Sequence, residues 1–219
     1  ARFNLISTRL VQRHLNDRHQ TSSQLAIRGF SFFASGHLNL QNMAINGFQP
    51  ELIYSTLTDV PILDVVHLAS SERGLIAVAY NISTEEFLMQ LVAERQPASL
   101  SDKDGLATAR AQLREYLCGA RTQFSLPLDL NHITDFQRLV LKTVECVPYG
   151  VTRSYGEIAA QIGRPRAARA VGQANSRNPL PMVIPCHRVI AADGSLGGYS
   201  GAGGLRTKLR LLRLEGVRF

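Results

Sequence analysis

Residues 178–190 read Asn-Pro-Leu-Pro-Met-Val-Ile-Pro-Cys-His-Arg-Val-Ile, with prolines at 179, 181 and 185. Each proline fixes φ and removes a backbone donor, so the segment is stiff and extended and belongs to no helix interior. The fold must therefore hold a rigid strap between its regular elements. At the end of that strap it presents the triplet Cys186-His187-Arg188.

The flanking sequence is helical. Phe136, Leu139, Val140, Thr143, Val144 and Val147 fall at i, i+3, i+4, i+7, i+8 and i+11, one face of a helix that Pro148-Tyr149-Gly150 ends. Ser154 and Glu157 form a capping box opening a short helix with Ile158, Ala159 and Ile162 inward. Gly163-Arg164-Pro165 is a tight turn. A second helix follows from about Arg166 to Ser176, with Ala167, Ala170, Val171 and Ala174 on its packed side. Two short helices joined by a three-residue turn have helix-turn-helix geometry, and an ordinary helical hairpin fits the same pattern. Arg166, Arg169 and Arg177 accompany the second helix. Beyond the strap, Leu205, Leu209, Leu211 and Leu212 alternate with Arg206, Lys208, Arg210 and Arg213, which predicts an amphipathic basic helix.

Upstream the pattern changes. Residues 62–69 suit a strand, Ser70–Gly74 a turn and residues 75–80 a second strand, together a hairpin. Ser83 and Glu86 cap a helix carrying Phe87, Leu88, Leu91 and Val92. After a polar break at 96–104, Leu106, Ala109, Leu113 and Leu117 mark another helix, closed by Gly119. Phe124–Leu130 is a short extended connector. Residues 1–42 are Arg- and Ser-rich with a single acid, Asp17, a composition that fits a transit segment or upstream sequence read in frame. The resulting division is an extension over 1–51, disordered, targeting or upstream in character, a small α/β domain over 52–130, and a helix-turn-helix domain over 131–219.

Charge follows that division. Residues 131–219 carry thirteen basic and five acidic side chains, whereas 43–130 carry six and eleven. A compact segment at +8 suits a polyanion such as nucleic acid, and a basic solubilising surface equally. No apolar run approaches the roughly 18 residues of a membrane span. Three cysteines, Cys118, Cys146 and Cys186, build no disulfide framework and suit a reducing compartment.

Cys186 is the residue with chemical prospects. His187 and Arg188 follow it, and cationic neighbours favour thiolate, the nucleophilic form. Adjacent side chains do not meet, so His187 would act through a water or a turn. A carboxylate would hold its tautomer, and Glu215 is the candidate, set among leucines. A buried structural thiol fits the residues as well. A metal site lacks ligands, and a hydrolase nucleophile would need an oxyanion hole.

PCHRVI at 185–190, preceded by Asn178-Pro179 and followed by GYSG at 198–201 and LLRLEG at 211–216, resembles the methylated-DNA–protein-cysteine methyltransferases, which repair guanine alkylated on its 6-oxygen. The likeness spans about 124–216 and takes in Phe136-Gln137, VPYG at 147–150, SYGEIA at 154–159 and ARAVG at 168–172. Upstream it weakens to the hairpin with ASSERGL, and residues 1–51 match nothing.

The resemblance implies an α/β ribonuclease-H-like N-terminal domain followed by a mainly helical, winged-helix-like helix-turn-helix domain. It implies Cys186 as alkyl acceptor, His187 and Glu215 with a water as its proton relay, and Asn178 as a brace of the active-site loop. Arg169 would fill the gap left by the extruded base, Tyr155 would lie near the base pocket and the DNA backbone, and Tyr199 and Ser200 would line the pocket, Ser200 offering its amide to the 6-oxygen. The activity implied is a single irreversible transfer from double-stranded DNA containing alkylated guanine. It would be carried out by a monomer without metal or organic cofactor and away from membranes, in the cytoplasm or in a eukaryotic nucleus or organelle. The chemistry is consistent. The alkyl group lies in the base stack, so the nucleotide must flip out, and the thioether formed has no hydrolytic exit. Leu141 stands where the family often has tryptophan, a packing change. Cys186 argues against the non-catalytic alkyltransferase-like group, which has tryptophan there. With no cysteine before Cys118, no N-terminal zinc site is expected. The competing expectations are a non-catalytic alkylated-DNA recognition module and a multiple-turnover cysteine hydrolase.

Overall fold

The hairpin expected from residue 62 forms one edge of a sheet, and that edge meets the helical half. The computed structural model describes residues 31–32, 37–39, 51–95, 97, 99–102 and 106–219. The strands are β1 (Ser31–Phe32), β2 (His37–Asn39), β3 (Glu51–Thr58), β4 (Val65–Ser71) and β5 (Gly74–Tyr80). Helix α1 (Thr84–Arg95), strand β6 (Ser99–Asp102) and helix α2 (Ala107–Leu117) follow. The second half contains α3 (Asp135–Glu145), β7 (Arg153–Ser154), α4 (Tyr155–Gln161), α5 (Ala168–Ser176), β8 (Val189–Ile190) and α6 (Gly204–Leu214). Most of the stretch read as transit or upstream sequence lies outside the described residues.

The sheet order is β1-β2-β6-β3-β4-β5, with β3–β6 parallel and the other pairs antiparallel. It takes two short strands from the segment set aside as an extension. The polar break at 96–104 also contains a strand, β6. One buried leucine, Leu100, alternates with Ser99 and Ser101, too short a pattern to register as a strand. In β4, five consecutive buried residues replace alternation, because both sheet faces are covered. Phe87, Leu88 and Leu91 of α1 cover one face over Leu52, Ala69 and Ile76. On the other face Leu113 and Tyr116 of α2 meet Leu68 and Val78. The same core continues into Val140, Ile158, Val171, Ile184 and Leu211, so the two halves share one interior.

Three contacts at the edge of β5 dock the connector and tie the second half to the sheet. Leu75 N–H donates to Pro127 O (2.8 Å) and Asp129 N–H to Leu75 O (2.9 Å), docking the connector. Val78 N–H donates to Pro179 O (2.8 Å), tying the sheet to the proline strap itself. Gly74 permits this approach. It sits at φ +139, and a Cβ there would lie 2.3 Å from Pro127 O.

In the helical half the capping box at Ser154/Glu157 forms as expected, with Glu157 N–H on Ser154 Oγ (3.1 Å) and Ser154 N–H on Glu157 Oε2 (2.7 Å). Other expectations shift. The buried stripe of α3 is Val140, Leu141 and Val144, while Leu139 is 42% exposed. The second helix of the pair begins at Ala168, and Ala170 faces solvent while Asn175 is buried. In α6, Leu205 is exposed and Lys208 is fully buried. A 3.6-residue period constrains which residues share a face, but the neighbouring elements decide how far that face rotates toward the core.

Candidate active site

The strap turns back on itself before the cysteine. Ile184 N–H donates to Leu180 O (2.8 Å), with Met182 in the left-handed region at φ 73. That backbone costs a residue bearing a Cβ about 1 kcal/mol or more and persists where packing over-determines it, as around the fully buried Met182. Asn178 closes the turn from inside, donating Nδ2–H to Ile184 O (2.8 Å) and accepting from Leu180 N–H on Oδ1 (3.0 Å). Asn175, one turn earlier on α5, donates to Cys186 O (3.1 Å). Both asparagines therefore hold the backbone that carries the thiol.

Cys186, His187 and Arg188 form one 3-10 turn between the strap and β8. This turn sends adjacent side chains in different directions. His187 Nε2 lies 2.8 Å from Glu215 Oε1. The Arg188 guanidinium grips the same carboxylate, Nε to Oε2 at 2.9 Å and Nη2 to Oε1 at 2.9 Å, and donates Nη1–H to Val147 O (2.5 Å). Gly150 N–H adds a donor to Oε2 (3.1 Å), delivered by the Pro-Tyr-Gly turn after α3. Tyr116 Oη of α2 adds another to Oε1 (2.6 Å). Burial alone would raise the Glu215 carboxyl, but the bonds from His187, Arg188 and Tyr116 outweigh it and hold the group down at about 2.

The expectation that His187 and Arg188 make Cys186 a resting thiolate is overturned. Burial pushes the thiol up, with Asn178, the Lys208 charge and the Tyr199 hydroxyl pulling it partly back. Cys186 is 6% exposed, His187 is buried and held neutral by desolvation, and the Arg188 charge is spent on Glu215. Cys186 at rest is therefore a thiol and not a thiolate. With Nε2–H on Glu215, the His187 lone pair is on Nδ1, which is buried and has no hydrogen-bond partner among the described residues.

Lys208, read from sequence as part of a basic surface, enters the site from beneath. Its Nζ donates to Val189 O (2.6 Å), Leu196 O (2.5 Å) and Gly198 O (3.2 Å). Burial lowers it to about 8, so at neutral pH it remains largely an ammonium whose three N–H bonds each meet a carbonyl. It shapes the loop bearing Tyr199 and Ser200. Ser200 Oγ–H donates to Ser176 O (2.6 Å), joining that loop to the end of α5. Tyr155 Oη–H donates weakly to Gly198 O (3.4 Å). Tyr199 Oη accepts from Tyr80 Oη of β5 (2.7 Å). Gly201 leaves room for that pair, since a Cβ there would lie 1.9 Å from Tyr80 Oη.

The structure thus brings Cys186, His187, Glu215, Asn178 and Tyr199 together, sets Ser200 on the adjoining loop and places Tyr155, at the start of α4, against that loop. Arg169 stands apart, exposed on α5 near the exposed Arg166 and Arg177. Sequence reasoning missed Tyr116, Tyr80, Asn175 and Lys208. The signal for Asn175 was available, since it follows Val171 by four residues on the packed face. Tyr116 and Tyr80 lie in the other half of the chain, where no local pattern links them to Cys186.

Known proteins resemble this chain over both of its halves. Residues 53–130 match the family model of the 6-O-methylguanine DNA methyltransferase ribonuclease-like domain, and 135–217 match that of its DNA binding domain. The chain is 53% identical over 116 residues to a methylated-DNA–protein-cysteine methyltransferase of Mycobacterium leprae, covering 53% of this chain and 68% of the relative. It is 43% identical over 164 residues to one from Methanosarcina barkeri, covering 74% and 97%. The crystal structure of Mycobacterium tuberculosis OGT in complex with DNA superposes with a TM-score of 0.63 at 41% identity, covering 74% of this chain and 92% of that one.

Proposed function

The chain belongs to the 6-O-methylguanine DNA methyltransferase family, and from that membership we propose that it repairs DNA by moving an alkyl group from the 6-oxygen of guanine onto Cys186, once per molecule. The observation that carries the reading is a buried thiol next to a neutral histidine whose Nε2–H is committed to a deeply ionised Glu215. That pairing leaves Nδ1 as the base.

In the reaction the thiol gives its proton toward His187 Nδ1 through a bridging water, and the resulting imidazolium is stabilised by Glu215. The sulfur attacks the saturated carbon, an S–C bond forms, and the carbon–oxygen bond breaks with its electron pair going to guanine. The base then takes up a proton, so the net change is thiol plus alkylguanine to thioether plus guanine. A thiol kept protonated until substrate arrives is protected from adventitious alkylation and oxidation.

In this reading Asn178 braces the loop, Tyr199 and Ser200 line the pocket for the flipped base, Tyr155 lies near that pocket and the DNA backbone, and Arg169 fills the stack, offsetting an unstacking cost of a few kcal/mol. Residues 52–130 and 131–219 act as its two domains. The protein works as a monomer on duplex DNA, in whichever compartment holds that DNA. Among the described residues no helix is long and apolar enough to cross a membrane.

The test is intact-mass measurement after exposure to a duplex carrying labelled 6-O-methylguanine. One methyl per protein, mapped to Cys186 and lost in Cys186→Ala, is expected. Label on Cys118 or Cys146, or repeated turnover, overturns the assignment.

A further inference from the structure

A fully buried hydroxyl, Tyr116 Oη, reaches from the N-terminal half to Glu215. We infer that Tyr116, on the second helix of the sheet-bearing half, is a positioning residue for the His187 base, fixing through its bond to Glu215 which imidazole nitrogen carries the proton and how basic the other is. This inference rests on the transfer reaction proposed above and adds a residue to it.

Three observations carry the inference. Tyr116 Oη–H donates to Glu215 Oε1 at 2.6 Å, the same oxygen that lies 2.8 Å from His187 Nε2. Tyr116 Oη also lies 3.2 Å from Nε2. Because its hydrogen is committed to the carboxylate, the phenol offers Nε2 only lone pairs. Nε2 therefore faces two acceptors and must itself carry the proton, leaving the lone pair on Nδ1. The ring is held for this task. Tyr116 packs against Phe124 at 5.3 Å between centroids and against the edge of Tyr149 at 6.2 Å. Burial and the neighbouring carboxylate raise the phenol well above its ordinary value, so it remains a donor across the working range.

The hydroxyl also sets basicity. A donor on Oε1 withdraws part of the negative charge that would otherwise stabilise the imidazolium. The other groups facing His187 are Arg188 and Cys186 on its own turn, Glu215 and Lys208 at the last helix, and Tyr149 beside Glu215. Tyr116→Phe leaves all of these in place. It strengthens the pull of Glu215 on the imidazole proton, so His187 protonates at higher pH and less of it is available as base.

Two readouts on the full-length chain test this. The first is the single-turnover rate of methyl transfer against pH. Tyr116→Phe is expected to move the acid limb to higher pH, slowing transfer roughly three- to tenfold on that limb, with DNA affinity unchanged. The second is the imidazole 15N spectrum, which needs no DNA. Wild type should show His187 protonated on Nε2, and the variant should titrate at higher pH. An unchanged rate profile in an active wild type, an unchanged His187 titration, or a wild-type imidazole protonated on Nδ1 overturns the inference. If wild type transfers no methyl, the repair reading fails while the 15N titration still decides the role of Tyr116. If the variant does not fold, the wild-type tautomer decides it.

Discussion

Replacing Glu215 by glutamine changes one atom and removes the charge on which the site converges. The carboxylate accepts from His187, Tyr116, Arg188 and Gly150, and its side chain is fully buried, with the Arg188 side chain 6% exposed. Whichever way the amide turns, its NH2 meets a donor, and Arg188 becomes a buried cation with no counter-ion. Breaking a buried pair by removing one partner costs about 3–5 kcal/mol. The titration of the group leads to the same size. A carboxyl held at about 2 where 4.5 is ordinary contributes about 3 kcal/mol at neutral pH. For a chain of this length that is a fall in Tm of about 6–12 °C. The sign with pH follows from the depressed value. The contribution is complete above pH 4.5 and is lost as the pH falls through 2. Burial of neutral His187, with its value lowered from 6.5, adds a loss of stability as the pH drops below 6.5, because the unfolded imidazole then binds a proton that the folded one refuses. Thermal unfolding followed from pH 7 to pH 2 is the assay. Wild type should lose stability in both windows, and Glu215→Gln should start lower at pH 7 and show a flattened loss below 4.5. A variant within about 1 kcal/mol of wild type at pH 7, the range of an exposed ion pair, would refute the reasoning.

Lys208→Met should leave the carbonyls of Val189, Leu196 and Gly198 without their donor. Amide exchange over 189–200 should accelerate while the β3–β4 ladder stays protected, and equal acceleration in both would show a global effect instead. Arg169→Ala should slow transfer from duplex DNA more than it weakens binding to undamaged duplex, as stopped-flow transfer and fluorescence titration would read. Equal losses in both count against a wedge role for this exposed arginine.

The parts of the fold that were legible in the sequence are those written in local spacing. The segment at 178–185, expected to be extended, instead turns back on itself through the Ile184 N–H to Leu180 O bond, but the Ser154/Glu157 box, the hairpin around Glu72-Arg73 and the helix closed at Gly119 each depend on residues within a few positions of one another, and each forms. The same holds for the core of the site. Cys186, His187 and Glu215 were named from residue type and neighbourhood, and the turn at 186–188 joins His187 to Glu215. Where a single apolar residue carried the pattern, as in Ser99–Asp102, the strand was missed, because its pairing with β3 and β2 supplies the order that its own sequence lacks.

Residue identity by itself determined which groups are available for chemistry here: a thiol and an imidazole at the end of a proline-rich strap, and a carboxylate just past the last helix. Tertiary structure alone decided their state. Two arginine-like expectations reversed once partners were visible. Arg188 neutralises Glu215 instead of acidifying the thiol, and Lys208 turns inward to three carbonyls instead of outward to solvent. The physical reason is that ionisation depends on burial and on donors within about 3 Å, and those donors arrive from Tyr116 and Gly150, far away in sequence and adjacent only in the folded chain.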